Sequence, residues 1–133
     1  MTKILVVEDD MSNREMLVRR LEWEGYRVVT AENGAQAIVR AIEERPDLIL
    51  MDMGLPVMNG WQATHRIKST SSTHTTPIIA LTAFALSSDR EKCINMGCDD
   101  YETKPVDFAR LNAKIRALLA SAPSTDVSAS PVA

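Results

Sequence analysis

Five side chains able to do chemistry stand where short chain segments end: Glu8 and Asp9 after residues 4–7, Asp52 after 48–51, Thr82 after 78–81, and Lys104 closing 99–104. The segment LILM before Asp52 is wholly apolar, yet it ends in a carboxylate, with Gly54 and Pro56 close behind. Taken singly, each residue has a commoner explanation. Glu8, Asp9 and Asp10 read as a solvated acidic turn capping the next helix, Asp52 as an N-cap or turn residue, Thr82 as a helix cap and Lys104 as a surface lysine. Taken together, three carboxylates, a hydroxyl and an ammonium would share one rim. Crowded carboxylates repel and raise one another's pKa unless a cation joins them, and hard oxygen ligands in this number suit Mg²⁺.

Whether they meet depends on the elements that carry them. Short β-rich apolar runs occupy residues 4–7, 28–30, 48–51 and 78–81, each separated from the next by a segment of helical length. That alternation predicts a parallel sheet. The first helical segment aligns Leu17, Val18 and Leu21 and stops at Gly25; the second aligns Ala37, Ile38, Ala41 and Ile42 before Pro46. A third spaces Gly60, Ala63, Thr64 and Ile67 helically, and a fourth opens with Ser88 and Glu91 at capping-box spacing and ends at Gly97. The fifth starts at Asp107, a good N-cap, and carries Phe108, Leu111, Ile115 and Leu118. The stretch DDYETK at 99–104 is too polar to read as a strand by itself, and only the rhythm of the other units places a fifth strand there. The expected fold class is α/β: a doubly wound, five-stranded parallel sheet with right-handed crossovers and five helices spread over its two faces. Ligands of such folds bind beyond the carboxyl ends of the strands, where the five reactive side chains collect.

The 133 residues suffice for one core and are too few for two, so residues 1–120 are expected to form a single domain. The segment 121–133 is small, polar and interrupted by Pro123 and Pro131, and it is expected to be a disordered tail. The loop 69–77 reads as an exposed connection. A formal charge of -3 argues against direct nucleic-acid binding. No apolar stretch approaches the roughly 18 residues of a membrane span, and no signal-peptide pattern follows Met1, so the expected location is cytoplasmic. Cys93 and Cys98 lack neighbours at zinc-finger spacing and read as a reduced, largely buried pair.

The motifs KILVVEDD (3–10), LILMDMGLPVMNG (48–60), PIIALTA (77–83) and GCDDYETKP (97–105) occur in this order, and with them the sequence resembles a receiver domain of bacterial two-component response regulators over residues 3 to about 120. The resemblance implies a flavodoxin-like sheet with strand order 2-1-3-4-5. The resemblance implies that Asp52 is the phosphoacceptor, taking a phosphoryl group from a phosphohistidine on a histidine kinase or histidine phosphotransfer protein. It implies Mg²⁺ held by Glu8, Asp9, Asp52 and the backbone carbonyl of Gly54, with Lys104 pairing with a phosphoryl oxygen and a cis peptide before Pro105 turning the lysine inward. Thr82 matches the family's switch hydroxyl and Tyr101 its partner aromatic. Residues 87–119 would form the face read by a downstream protein target. Such a protein is a phosphoacceptor and switch that catalyses only its own phosphorylation and dephosphorylation.

Several residues depart from the family's commonest pattern. Gly54 and Phe84 flank the expected route of attacking water, which suggests slow loss of phosphate, testable by timing dephosphorylation of Phe84→Glu. Glu102 stands where an apolar residue is usual, and Val106 where a larger one is. A stand-alone receiver is the favoured reading, with a receiver cut from a hybrid kinase as its variant. An aspartate-nucleophile phosphatase of the haloacid-dehalogenase type would need a second aspartate where Gly54 stands. A mononucleotide-binding flavodoxin-like module would need a phosphate-cradling loop where the acidic residues follow the first strand.

Overall fold

Unbroken apolar strands are the signature of a parallel sheet covered on both faces, and this chain buries them that way. The structure is a computed structural model that describes residues 1–83, 91–92 and 94–121. In chain order the elements are β1 (Lys3–Val7), α1 (Met11–Trp23), β2 (Arg27–Ala31), α2 (Gly34–Glu44), β3 (Leu48–Asp52), α3 (Gly60–Lys68), β4 (Ile78–Thr82), β5 (Asp100–Thr103) and a C-terminal helix, α4 (Phe108–Ser121). All neighbouring strands pair in parallel, as the alternation predicts, and their order is β2-β1-β3-β4-β5, as the resemblance implies. Every residue of β3 and β4 is buried.

Alternate side chains of the central strands serve two cores. Leu5, Val7, Ile49, Met51, Ile78 and Ala80 pack with Ala37, Ala41, Ala63 and Ile67 of α2 and α3. Ile4, Val6, Leu48, Leu50, Ile79 and Leu81 pack on the other face with Leu17 and Leu21 of α1 and Leu111 and Ile115 of α4. Successive strand residues point to opposite faces, so a run such as LILM feeds both cores at once.

The polar segment at residues 100–103 does form a strand, in register with β4 from Ile79↔Asp100 to Thr82↔Thr103. It lies at the sheet edge, where polar residues are tolerated because one side of the strand has no neighbour. The helix read from Ser88 falls partly outside the described residues. Glu91, Lys92, Ile94 and Asn95 are helical and the segment turns at Gly97, so four helices rather than five are delimited among the described residues. Asp107 caps α4 as expected, its Oδ1 accepting from the Arg110 amide at 3.1 Å, and the helix runs one residue past the anticipated boundary, to Ser121. The presumed tail beyond it, and Phe84, Ser87 and Cys93, lie outside the described residues. Cys98 is half-buried. The loop at 69–77 is exposed for most of its length, but Thr73 is buried, its hydroxyl donating to the Ile67 carbonyl at 2.7 Å and closing the loop onto α3.

Candidate functional site

The sheet's ladders continue past the strand ends and aim the reactive side chains. The Glu8 amide donates to the Ala31 carbonyl at 3.1 Å, the Met53 amide to Leu81 at 3.0 Å and the Lys104 amide to Thr82 at 2.8 Å, each carrying the parallel pattern one residue further. Glu8, Asp52, Thr82 and Lys104 therefore leave the sheet at one edge. Together with Asp9, Asp10, Asn13, Met53, Gly54, Trp61, Ala83 and Lys92 they line a cleft of about 450 Å³.

Asp52 is the last residue of β3 and is 5% exposed. Its Oδ1 accepts from the Gly54 amide at 3.1 Å and lies 3.1 Å from the Lys104 ammonium. The same ammonium donates to Glu8 Oε1 at 3.2 Å, so one lysine bridges carboxylates from β1 and β3. The peptide between Lys104 and Pro105 is cis. Glu8 Oε2 accepts from the Asp10 amide at 3.2 Å, and Arg14 donates to the Glu8 carbonyl at 2.9 Å, which holds the turn against α1.

The acidic triplet divides its labour. Asp10 caps α1 by accepting from the Ser12 amide, the role first given to the turn as a whole. Glu8 and Asp9 instead place carboxylate oxygens within 4.8 Å of one another and of Asp52. That spacing of hard oxygen donors fits one divalent cation, and Gly54 borders the same cleft. Burial pushes the Glu8 carboxyl above its usual pKa and the Asp52 charge adds to this, against the Asp10 amide and Lys104. For Lys104, burial acts to lower the pKa, but the charges of Asp52 and Glu8 outweigh it and hold the ammonium above its ordinary value. A carboxyl reluctant to ionise, beside a lysine held charged, describes a site short of positive charge.

Thr82 is 2% exposed at the end of β4 and lines the cleft. Tyr101 is outside the cleft lining; it is half-buried on β5 against the core under α2 and α3, with the Lys114 ammonium 5.2 Å from its ring centroid. Asn13, Trp61 and Lys92 also line the cleft, which the spacing of the strand ends does not predict. Trp61 follows Gly60 at the start of α3, off the stripe of small and apolar residues that marks the buried face, so a large aromatic there was a signal in plain view. Glu102, noted only as an oddity in the sequence, is 1% exposed and lies 2.8 Å from both Arg110 and Lys114 of α4. The Arg110 contact is an aligned hydrogen bond to Oε2, whereas Lys114 approaches Oε1 out of hydrogen-bond alignment.

Residues 4–116 match the response regulator receiver domain family. The chain is 36% identical over 119 residues to the polar-differentiation response regulator DivK of Brucella anthropi, covering 90% of this chain and 97% of that protein. It is 38% identical over 120 residues to Protein PilH of Pseudomonas aeruginosa, covering 90% and 99%. Among solved structures, the receiver domain of the Pseudomonas aeruginosa sensor histidine kinase PA1611, with a magnesium ion coordinated in its active-site cleft, superposes with a TM-score of 0.84 at 41% identity, covering 90% of this chain and 98% of that one. The Vibrio cholerae chemotaxis protein CheY4 gives 0.83 at 30% identity, covering 88% and 98%.

Proposed function

This chain belongs to the response regulator receiver family, and from that premise we propose that Asp52 is its phosphoacceptor, charged by a histidine kinase or histidine phosphotransfer protein. One observation carries the assignment: a nearly buried carboxylate at the floor of the cleft, within 4.8 Å of two further carboxylates and 3.1 Å from the Lys104 ammonium. An Asp52 oxygen attacks the phosphorus of the phosphohistidine, the P–N bond breaks, and the electron pair and a proton end on the departing imidazole.

Glu8, Asp9, Asp52 and the Gly54 carbonyl would hold Mg²⁺, which when bound supplies positive charge to the phosphoryl oxygens. Lys104, already bridging Glu8 and Asp52, exchanges a carboxylate for a phosphoryl oxygen as the group arrives. Thr82 then turns its hydroxyl toward the phosphoryl group and Tyr101 moves inward, which alters a face within residues 87–119 that a downstream protein reads. The receiver unit would close with α4, and its activity is limited to gaining and losing its own phosphoryl group.

Gly54 offers no carboxylate for the acid and base steps of an aspartate-nucleophile phosphatase. The likeness to a kinase-borne receiver keeps open a hybrid-kinase setting, with the same chemistry at Asp52. Among the described residues no helix is long and apolar enough to cross a membrane. The test is incubation with acetyl phosphate and Mg²⁺ followed by intact mass measurement. Wild type should gain one phosphoryl group only when the metal is present, and Asp52→Asn none. Equal labelling of the two proteins overturns the assignment.

A further inference from the structure

We propose that Lys92 is a positioning residue for the phosphodonor, drawing in the phosphoryl anion and pairing with it before Asp52 attacks. The inference rests on the phosphoacceptor reading of Asp52. It starts from a charge imbalance. The cleft is lined by four acidic residues, Glu8, Asp9, Asp10 and Asp52, and by two lysines, Lys104 and Lys92. A phosphodonor is an anion, and Lys104 is already shared between Glu8 and Asp52 at 3.2 and 3.1 Å. Even one divalent cation in the cleft would leave the carboxylates in excess over the metal and Lys104 together.

Lys92 is placed differently from Lys104. Among the described residues it makes no ion pair; its ammonium lies 4.8 Å from the centroid of the Trp61 ring. An aromatic face attracts a cation through its quadrupole and carries no net charge, so the ring holds the ammonium without cancelling its field. A carboxylate partner would cancel most of it. The contact is also weak beside a charge-assisted bond to a phosphoryl oxygen, so transfer from ring to phosphoryl group is downhill. Trp61 is itself fixed relative to the phosphoacceptor, because it follows Gly60, whose amide donates to the Met53 carbonyl at 3.2 Å just past Asp52. The ring therefore holds, at the rim of an acidic cleft, a cation with no ion pair among the described residues, and a rim charge acts chiefly on the rate of encounter and its salt dependence.

The test compares wild type, Lys92→Met and Lys92→Arg in the full chain with Mg²⁺, timing Asp52 phosphorylation by intact mass. Two donors are used, acetyl phosphate, a dianion at neutral pH, and phosphoramidate, a monoanion, each at low and high salt. Lys92→Met should slow the dianionic donor roughly fivefold at low salt, about the worth of one close charge contact in water. It should slow the monoanion less, and the gap should close at high salt. Lys92→Arg should keep the wild-type rate. As a second readout, in a Trp23→Phe background, the stable phosphoryl mimic beryllofluoride should change Trp61 emission in the Lys92 protein and not in Lys92→Met. Unchanged rates in Lys92→Met, or equal slowing of both donors without salt dependence, would overturn the proposal. A wild type that takes no phosphoryl group from either donor would overturn the phosphoacceptor reading, and this inference with it.

Discussion

Gly60 opens α3 directly against the backbone of Asp52, and Gly60→Ala tests how tightly that contact sets the candidate site. A Cβ at this position would collide with the Asp52 carbonyl oxygen and lie 2.7 Å from Met53 Cα and 2.9 Å from the Asp52 carbonyl carbon. Carbon pairs settle at about 3.5–4.0 Å, so the start of α3 or the end of β3 must retreat by close to ~1 Å. Two effects compete. Replacing glycine by alanine in a helix ordinarily gains about 0.5–1 kcal/mol. Overpacking costs about 1–3 kcal/mol, and here the obstacle is backbone, which cannot rotate away as a side chain can. Strain should win, leaving Gly60→Ala about 2 kcal/mol less stable in urea denaturation. The retreat also moves Asp52, and on the phosphoacceptor reading a misplacement of this size costs on the order of 100-fold in rate, to be read as slower labelling by acetyl phosphate under folded conditions. Gly54→Ala is the matched control, since the nearest atom to its added Cβ is Asp52 Oδ1 at 3.9 Å, an ordinary contact, and its stability should stay near wild type. A Gly60→Ala protein as stable as wild type and labelled as fast would refute the reasoning.

Two further substitutions probe the buried charges. Lys104→Met leaves the Glu8 and Asp52 side chains, 2% and 7% exposed, without their shared cation. Breaking a buried pair costs about 3–5 kcal/mol, and the partial exposure of Lys104 brings the expected loss to roughly 2–3 kcal/mol. In the metal-free variant that loss should be smaller at low pH. Burial already raises the Glu8 pKa, and without the ammonium the folded state binds a proton there more readily than the unfolded chain, so stability falls as pH rises from the ordinary carboxylate range through the raised value. Urea midpoints at pH 5 and pH 8 read the difference, and equal losses at the two would contradict it. Glu102→Leu removes a carboxylate that is 1% exposed, while Arg110 and Lys114, 56% and 25% exposed, can return to water. Replacing a buried ion by an apolar side chain is often neutral or stabilising, so the stability should stay within about 1 kcal/mol of wild type or rise; a loss above about 3 kcal/mol would show the network to be a net contributor.

The sheet and most of the site were legible in the chain because local order encodes them. Short apolar runs such as LILM and IIAL read as strands covered on both faces, and their alternation with amphipathic helices leads to a parallel sheet. In a parallel sheet all carboxyl ends share one edge, so topology alone brings Glu8, Asp52, Thr82 and Lys104 together. The tertiary structure decided the rest. Residues 100–103 become a strand through their ladder to β4, a partner distant in sequence, in spite of their polarity. Asp10 parts from its acidic neighbours because α1 begins there and takes its carboxylate as a cap. Trp61 and Lys92 join the cleft, and Glu102 becomes buried under α4, through the way helices settle on the sheet. Periodicity tells which side of a helix is apolar; which strand end or helix a side chain meets depends on packing between elements far apart along the chain.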